Sequence, residues 1–233
     1  MLRNKISTMN RYNTTKLFYS KYLYKLRVRN DIAGLFRGLN TNNIKSKLDT
    51  MQLDAELGLP IASPFNWGLR TPKNVSVETF MDASILYRVL LDNKDKCTIR
   101  IEGHILDIYS NECDWLENLS NQINCEEFHS PSEEAKQFLK NNTNVVICDE
   151  ETIEWPYKIY FGKFVDPNFA SYCENNPSIK IGKVALESVR SKGWCLGFYF
   201  WATTEKQAML AQIALGGGVQ KIIKYVSRSE LHK

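Results

Sequence analysis

Across its 233 residues the sequence offers no apolar stretch of the roughly 18 to 20 residues that a membrane-crossing helix requires. Its longest apolar runs, around residues 195–203 and 208–215, are short or broken. It lacks any CxxC pair, and its six cysteines (Cys97, Cys113, Cys125, Cys148, Cys173 and Cys195) are widely spread. With only His104, His129 and His232 as co-ligands, that spacing argues against a zinc site. The phosphate cradle GxxxxGK[ST] is missing as well: GLFRG from Gly34 and GGGVQK from Gly216 both depart from the pattern. There is no HExxH, no HxH pair and no GxSxG, so neither a metalloprotease, nor a rolling-circle nickase, nor a serine hydrolase is indicated. The start of the chain alternates charges with apolar residues instead of building the apolar region of a signal peptide. The expectation is therefore a soluble, intracellular, cytoplasmic protein with reduced and mostly buried thiols, and no cofactor.

What the sequence has is charge in stripes. Residues 1–47 hold eleven Lys or Arg against one acid, Asp31; residues 91–155 hold fifteen acids against five bases; residues 156–233 hold eleven bases against five acids. The apolar fraction of 43% is ordinary for a globular core.

Residues 1–20 are polar, basic and without clear period, and read as an arm. In 22–30, Leu26 and Val28 alternate with Lys25, Arg27 and Arg29, the pattern of a half-exposed strand. A turn or short helix follows at 31–39. Residues 41–57 carry Ile44, Leu48, Met51 and Leu57 at near-helical spacing behind a Thr or Asn cap. A Gly- and Pro-rich loop packed by Phe65 and Trp67 comes next.

Two similar blocks follow. The first has a helix from Ser76 through Leu91, strands at 97–102 and 105–109 joined at Gly103, a helix from Ser110 or Asn111 to Ile123, a polar insertion, and a closing strand at 145–148. The second runs strand 157–163, helix 168–175, strand 179–183, a helical or irregular segment around 186–192, strand 194–202, helix 204–215 and strand 219–226. Both place a Ser or Thr cap beside an acid before an amphipathic helix. The predicted fold class is α+β: two tandem ferredoxin-like (βαββαβ) lobes with antiparallel sheets, over 21–150 and 151–233, behind the basic N-terminal arm of residues 1–20. The alternative is a single mixed α+β domain.

One cluster is chemically directed. Arg3, Lys5, Arg11, Lys16, Lys21, Lys25, Arg27, Arg29 and Arg37 supply cations for phosphates, while Tyr12, Phe18, Tyr19, Tyr22 and Tyr24 supply rings for unpaired bases. The candidate nucleic-acid-binding residues are Arg11, Lys16, Lys21, Tyr22, Tyr24, Lys25, Arg27, Arg29 and Arg37. The same composition also suits a solvated tail, a protein-docking arm or an organelle transit peptide. On the strands, Tyr109 in one block and Phe198 and Phe200 in the other occupy candidate platform positions, with GFYFWATT from Gly197 nearest to an RNA-binding strand motif. Gly216-Gly217-Gly218 serves as a helix C-cap and permits close backbone approach.

The expected function is binding of single-stranded RNA or DNA as a non-catalytic component of a replication, transcription or packaging assembly. Heavy use of Asn, Lys, Ile and Tyr suits an AT-rich virus or phage. One alternative is a structural or adaptor protein that docks on a protein partner or forms a homo-oligomer. Another is a metal-dependent nuclease using Asp107, Asp149 and Glu150.

Overall fold

The computed structural model describes residues 9–65, 74–216 and 218–232; Arg3, Lys5 and Trp67 lie outside the described residues. The chain divides into two compact units, one holding the segment up to Thr14 with Lys21–Ser132, the other holding Thr15–Ser20 with Glu133 onward. Each unit has one five-stranded sheet and several helices, so the fold is mixed α+β.

The first unit contains β1 (Asn10–Asn13), β2 (Tyr24–Arg29), a 3-10 segment (Ala33–Leu39), α1 (Thr41–Glu56), α2 (Val77–Asp92), β3 (Cys97–Glu102), β4 (Ile105–Ser110), α3 (Asp114–Ser120) and β5 (Cys125–Ser130). Its strand order is β1-β5-β2-β4-β3, antiparallel except for β1 alongside β5. Helix starts follow local chemistry: the Asn40 and Ser76 side chains accept from the backbone N–H groups of Asn43 and Thr79. The β3–β4 hairpin turns on Gly103 at φ +58, a backbone region that glycine enters without steric cost.

The second unit contains α4 (Glu133–Asn141), β6 (Val145–Cys148), β7 (Tyr157–Phe161), α5 (Asn168–Glu174), β8 (Ile179–Ile181), α6 (Lys183–Arg190), β9 (Tyr199–Ala202), α7 (Glu205–Ala214) and β10 (Val219–Ser227). The order β6-β10-β7-β9-β8 repeats the first sheet strand for strand, including a parallel outer strand, β6 beside β10. Thr204 caps α7 by accepting from the Gln207 N–H. Gly216, at φ +62, follows the last turn of α7. A Cβ at Gly218 would stand 2.9 Å from the Phe164 carbonyl oxygen, so this glycine serves an approach to a neighbouring backbone segment.

Three expectations are corrected. The strand at Val145–Cys148, expected to close the first sheet, pairs with β10 in the second. The first sheet is closed instead by Cys125–Ser130, read from sequence as a polar insertion. A register shift opposite Arg27 and Val28 puts the buried Cys125 and Phe128 three residues apart, which breaks the period of two that marks a strand. The described part of the arm is built into sheets: Asn10–Asn13 is β1, and the Thr15 carbonyl accepts from the Ile147 N–H at 2.8 Å beside β6. A smaller difference concerns α3, which is shorter than expected and lacks a side-chain cap. Ser110 and Asn111 are engaged elsewhere, Asn111 accepting from the Leu23 N–H.

Helices cover one face of each sheet. In the first unit Leu26, Leu106, Ile108 and Phe128 on one sheet face are fully buried, as are Leu86 of α2 and Leu116 and Leu119 of α3; in the second, Ile159, Phe161, Phe200 and Ala202 pack with Phe169, Val189, Ala208 and Ala211. Successive strand residues point to opposite faces, so this burial decides which side chains stand on the other face of each sheet. Among the described residues no helix is long and apolar enough to cross a membrane.

The alternation makes a stability prediction. Phe200→Ala should cost about 3 to 5 kcal/mol in denaturant unfolding, because it empties a closed site, whereas Tyr199→Ala on the opposite face should cost about 1 kcal/mol or less.

Candidate nucleic-acid interface

The helix-free face of the first sheet carries three of the cations predicted to meet phosphates, Lys25, Arg27 and Arg29, and it surrounds them with acids. One cross-strand row runs Asn10, Glu127, Arg27, Asp107, Arg100, and the next runs Tyr12, His129, Lys25, Tyr109, Thr98. Arg27 is forked onto Asp107, with Nε to Oδ1 at 2.7 Å and Nη2 to Oδ2 at 3.0 Å, and its Nη1 donates to Glu127 at 3.2 Å. Lys25, buried, donates to the other Glu127 oxygen at 3.1 Å, and His129 Nε2 lies 2.9 Å from that oxygen. Arg29 is bonded to Glu126, and Arg11 reaches Glu117 at 3.0 Å.

Burial works against the Glu127 carboxylate, but bonds from His129 and Lys25 and the charge of Arg27 outweigh it and hold the group down to about 2. Burial lowers the affinity of His129 for a second proton, as do Lys25 and Arg27, and Glu127 opposes them. The Arg27 guanidinium is pushed further up by Asp107.

Two tyrosines of this segment, Tyr22 and Tyr24, are spent on the lobe, whereas Tyr12 and Tyr19 are exposed. Tyr22 is buried, with its hydroxyl 2.7 Å from Thr98 Oγ1, and Tyr24 is buried on the helix-covered side. Lys21 lies over the Tyr22 ring, and Arg37 is exposed in the 3-10 segment. Lys16 is in the second unit, opposite Val146 at the outer edge of β6.

The second sheet uses its helix-free face differently. One row runs Lys221, Tyr160, Tyr199; the next runs Ile223, Lys158, Trp201, Lys180; a third runs Lys16, Val146, Tyr225. The ammonium of Lys158 sits 3.7 Å from the Tyr199 ring centroid, 5.1 Å from Trp201 and 5.2 Å from Tyr160. The rings tile edge against face: Tyr199 and Trp201 are T-shaped at 6.0 Å, and Trp201 meets Tyr225 at 5.1 Å. Burial raises the Tyr225 hydroxyl pKa, and Lys158 opposes it. Among the described residues none of Lys16, Lys158, Lys180 and Lys221 pairs with a carboxylate.

Phe200, expected on the platform, is fully buried, and Phe198 packs against the core; Tyr199 and Trp201 take the outward positions. The stretch YFWA has aromatics at both parities, and the apolar Phe200 rather than its hydrogen-bonding neighbours meets the helices. Tyr160, Lys158 and Tyr225 were missed in the sequence. The signal that finds them is the same alternation, in YKIYF and KIIKYV.

Grooves of about 400 Å³ and about 540 Å³ flank Trp201. The first is lined by Lys180, Lys183, Phe198 and Tyr199, the second by Glu150, Glu154, Trp155, Lys180 and Tyr225.

Two of the nuclease acids are engaged in ion pairs within their own units. Asp107 is bonded to Arg27 in the first unit, Asp149 pairs with Arg228 at 2.7 Å in the second, and no group of three metal-ligating side chains occurs among the described residues. All six cysteines are free, and burial pushes Cys97 up to about 11 and Cys125 and Cys173 up to about 12. Compared with protein-family models, curated proteins and solved structures, the chain matches none.

The first-sheet network predicts acid lability. Below the unfolded value of 6.5 for His129 the unfolded chain binds the extra proton more readily, so stability falls as pH drops; below 4.5 it falls further as the unfolded Glu127 takes up a proton that the folded one resists until about 2. Thermal melts from pH 8 to 3 should show both phases, and Glu127→Gln should remove the lower one. Asp107→Ala should cost about 2 to 3 kcal/mol, because it leaves Arg27 with only its single bond to Glu127 in a half-buried site.

Proposed function

We propose that this chain is a nucleic-acid-binding protein of two ferredoxin-like lobes, which holds single-stranded RNA or DNA across the helix-free face of its second sheet. It acts as a non-catalytic part of a larger replication, transcription or packaging assembly. The ferredoxin-like reading is supported by the strand orders β5-β2-β4-β3 and β10-β7-β9-β8, each antiparallel with its two crossovers helical.

The observation that carries the functional reading is the placing of Tyr160, Tyr199, Trp201 and Tyr225 around Lys158, with Lys16, Lys180 and Lys221 at the margins. Bases stack on flat π-surfaces whatever their sequence, and lysines without carboxylate partners are available to phosphates. The N-terminal cations contribute unequally in this reading. Lys16 stands in a row of the same sheet and adds a phosphate contact, whereas Lys21 and Arg37 belong to the first unit and have no carboxylate partner among the described residues. Lys25, Arg27, Arg29 and Arg11 already hold carboxylates, and a phosphate would have to displace them.

Fluorescence anisotropy with a labelled single-stranded oligonucleotide tests this. Affinity should fall with salt at a log–log slope of about −2 to −3, as expected for three or four phosphates on a single strand. Tyr199→Ala and Trp201→Ala should each weaken binding by about tenfold, in line with the loss of one stacking partner. Unchanged affinity in the Tyr199→Ala/Trp201→Ala double variant, or binding indifferent to salt, would overturn the reading.

A further inference from the structure

Beyond the platform, the groove of about 540 Å³ on the far side of Trp201 has a lining unlike the rest of that face. Its walls bring Trp155, Trp201 and Tyr225 together with two carboxylates, Glu150 and Glu154, the Thr152 hydroxyl and Lys180. Lys180 stands directly opposite Trp201 in the strand register, and its ammonium lies 5.7 Å from the Trp155 ring centroid. The groove therefore combines aromatic surface with one lysine.

We propose that this groove is a nucleobase pocket selective for guanine in the bound strand. The inference rests on the single-strand reading given above. The volume suits one nucleotide, since small-ligand sites begin at about 300 Å³. Ionised carboxylates accept hydrogen bonds and donate none. Guanine alone among the common bases shows two adjacent donors, N1–H and the N2 amino group, on its pairing edge. Adenine and cytosine show one amino donor beside an acceptor nitrogen, and uracil or thymine flanks its one N–H with two carbonyls that a carboxylate repels. A carboxylate wall beside stacking rings therefore favours guanine. Lys180, in the same lining, is placed to take the phosphate of the same nucleotide. Without a base in place, acidic residues beside a phosphate-binding face oppose binding by like charge, so in this reading their presence trades general affinity for selectivity.

The test uses the full chain and single-stranded oligomers of otherwise uniform pyrimidine sequence carrying one central guanine, adenine, cytosine or inosine. The guanine strand should bind about tenfold or more tighter than the adenine and cytosine strands, within the range expected for a bidentate contact to a base edge. Inosine, which keeps N1–H and lacks the amino group, should fall between them. In the Glu150→Gln/Glu154→Gln variant, checked for folding by circular dichroism, the ratio of guanine-strand to guanine-free-strand affinity should collapse to about one. Equal affinity of the wild-type chain for all four strands would overturn the guanine pocket while leaving the platform standing. So would a guanine preference that survives in the double variant. Failure of every strand to bind would instead remove the single-strand reading itself.

Discussion

The bidentate pairing of Arg27 with Asp107, shared through Nη1 with Glu127, is the interaction on which the first lobe's organisation depends. It ties three neighbouring strands at one level of the sheet, so it fixes the register of β2 against β4 and β5 together. A slip by one residue would put Lys25 and Arg27 against the helices and Leu26 and Val28 outward, a change disfavoured on both faces at once. The basic segment near the N-terminus and the acidic middle of the sequence are thus halves of one cross-strand lattice.

The two sheets share a strand order and differ in what they place on the helix-free face. In the first, cations and acids alternate and satisfy one another. In the second, lysines alternate with tyrosine and tryptophan, and carboxylates are confined to the loop after β6 that lines one groove. Opposite charges in contact consume each other's potential, whereas an ammonium over a ring keeps its charge open to an incoming anion. That difference moves the proposed interface from the most basic part of the sequence to a part with fewer charges and more exposed ring surface.

The close approach of Gly162 and Gly218 belongs to the same logic. Their backbones are joined by an N–H to carbonyl bond of 2.6 Å, and a side chain on Gly218 would collide with the Phe164 carbonyl. This draws the start of β10 against the end of β7 and so sets Lys221 beside Tyr160. Packing between strands positions the face, and the face then determines what it can bind.

The sequence by itself determined most of the helices and strands, because Asn40, Ser76 and Thr204 cap their helices through their own side chains and Leu26 and Val28 alternate with bases whatever lies around them. It also marked the N-terminal cations and the GFYFWATT strand as places of interest. It hid β5, since the register shift against β2 broke the alternation that identifies a strand, and it could not say which sheet would take Val145–Cys148, since pairing across sequence distance leaves no local trace. Whether Arg27 meets a phosphate or Asp107, and whether Phe200 or Trp201 faces outward, depends on which strand lies alongside and which face the helices cover. Those are properties of the packed sheet, and only the tertiary structure decided them.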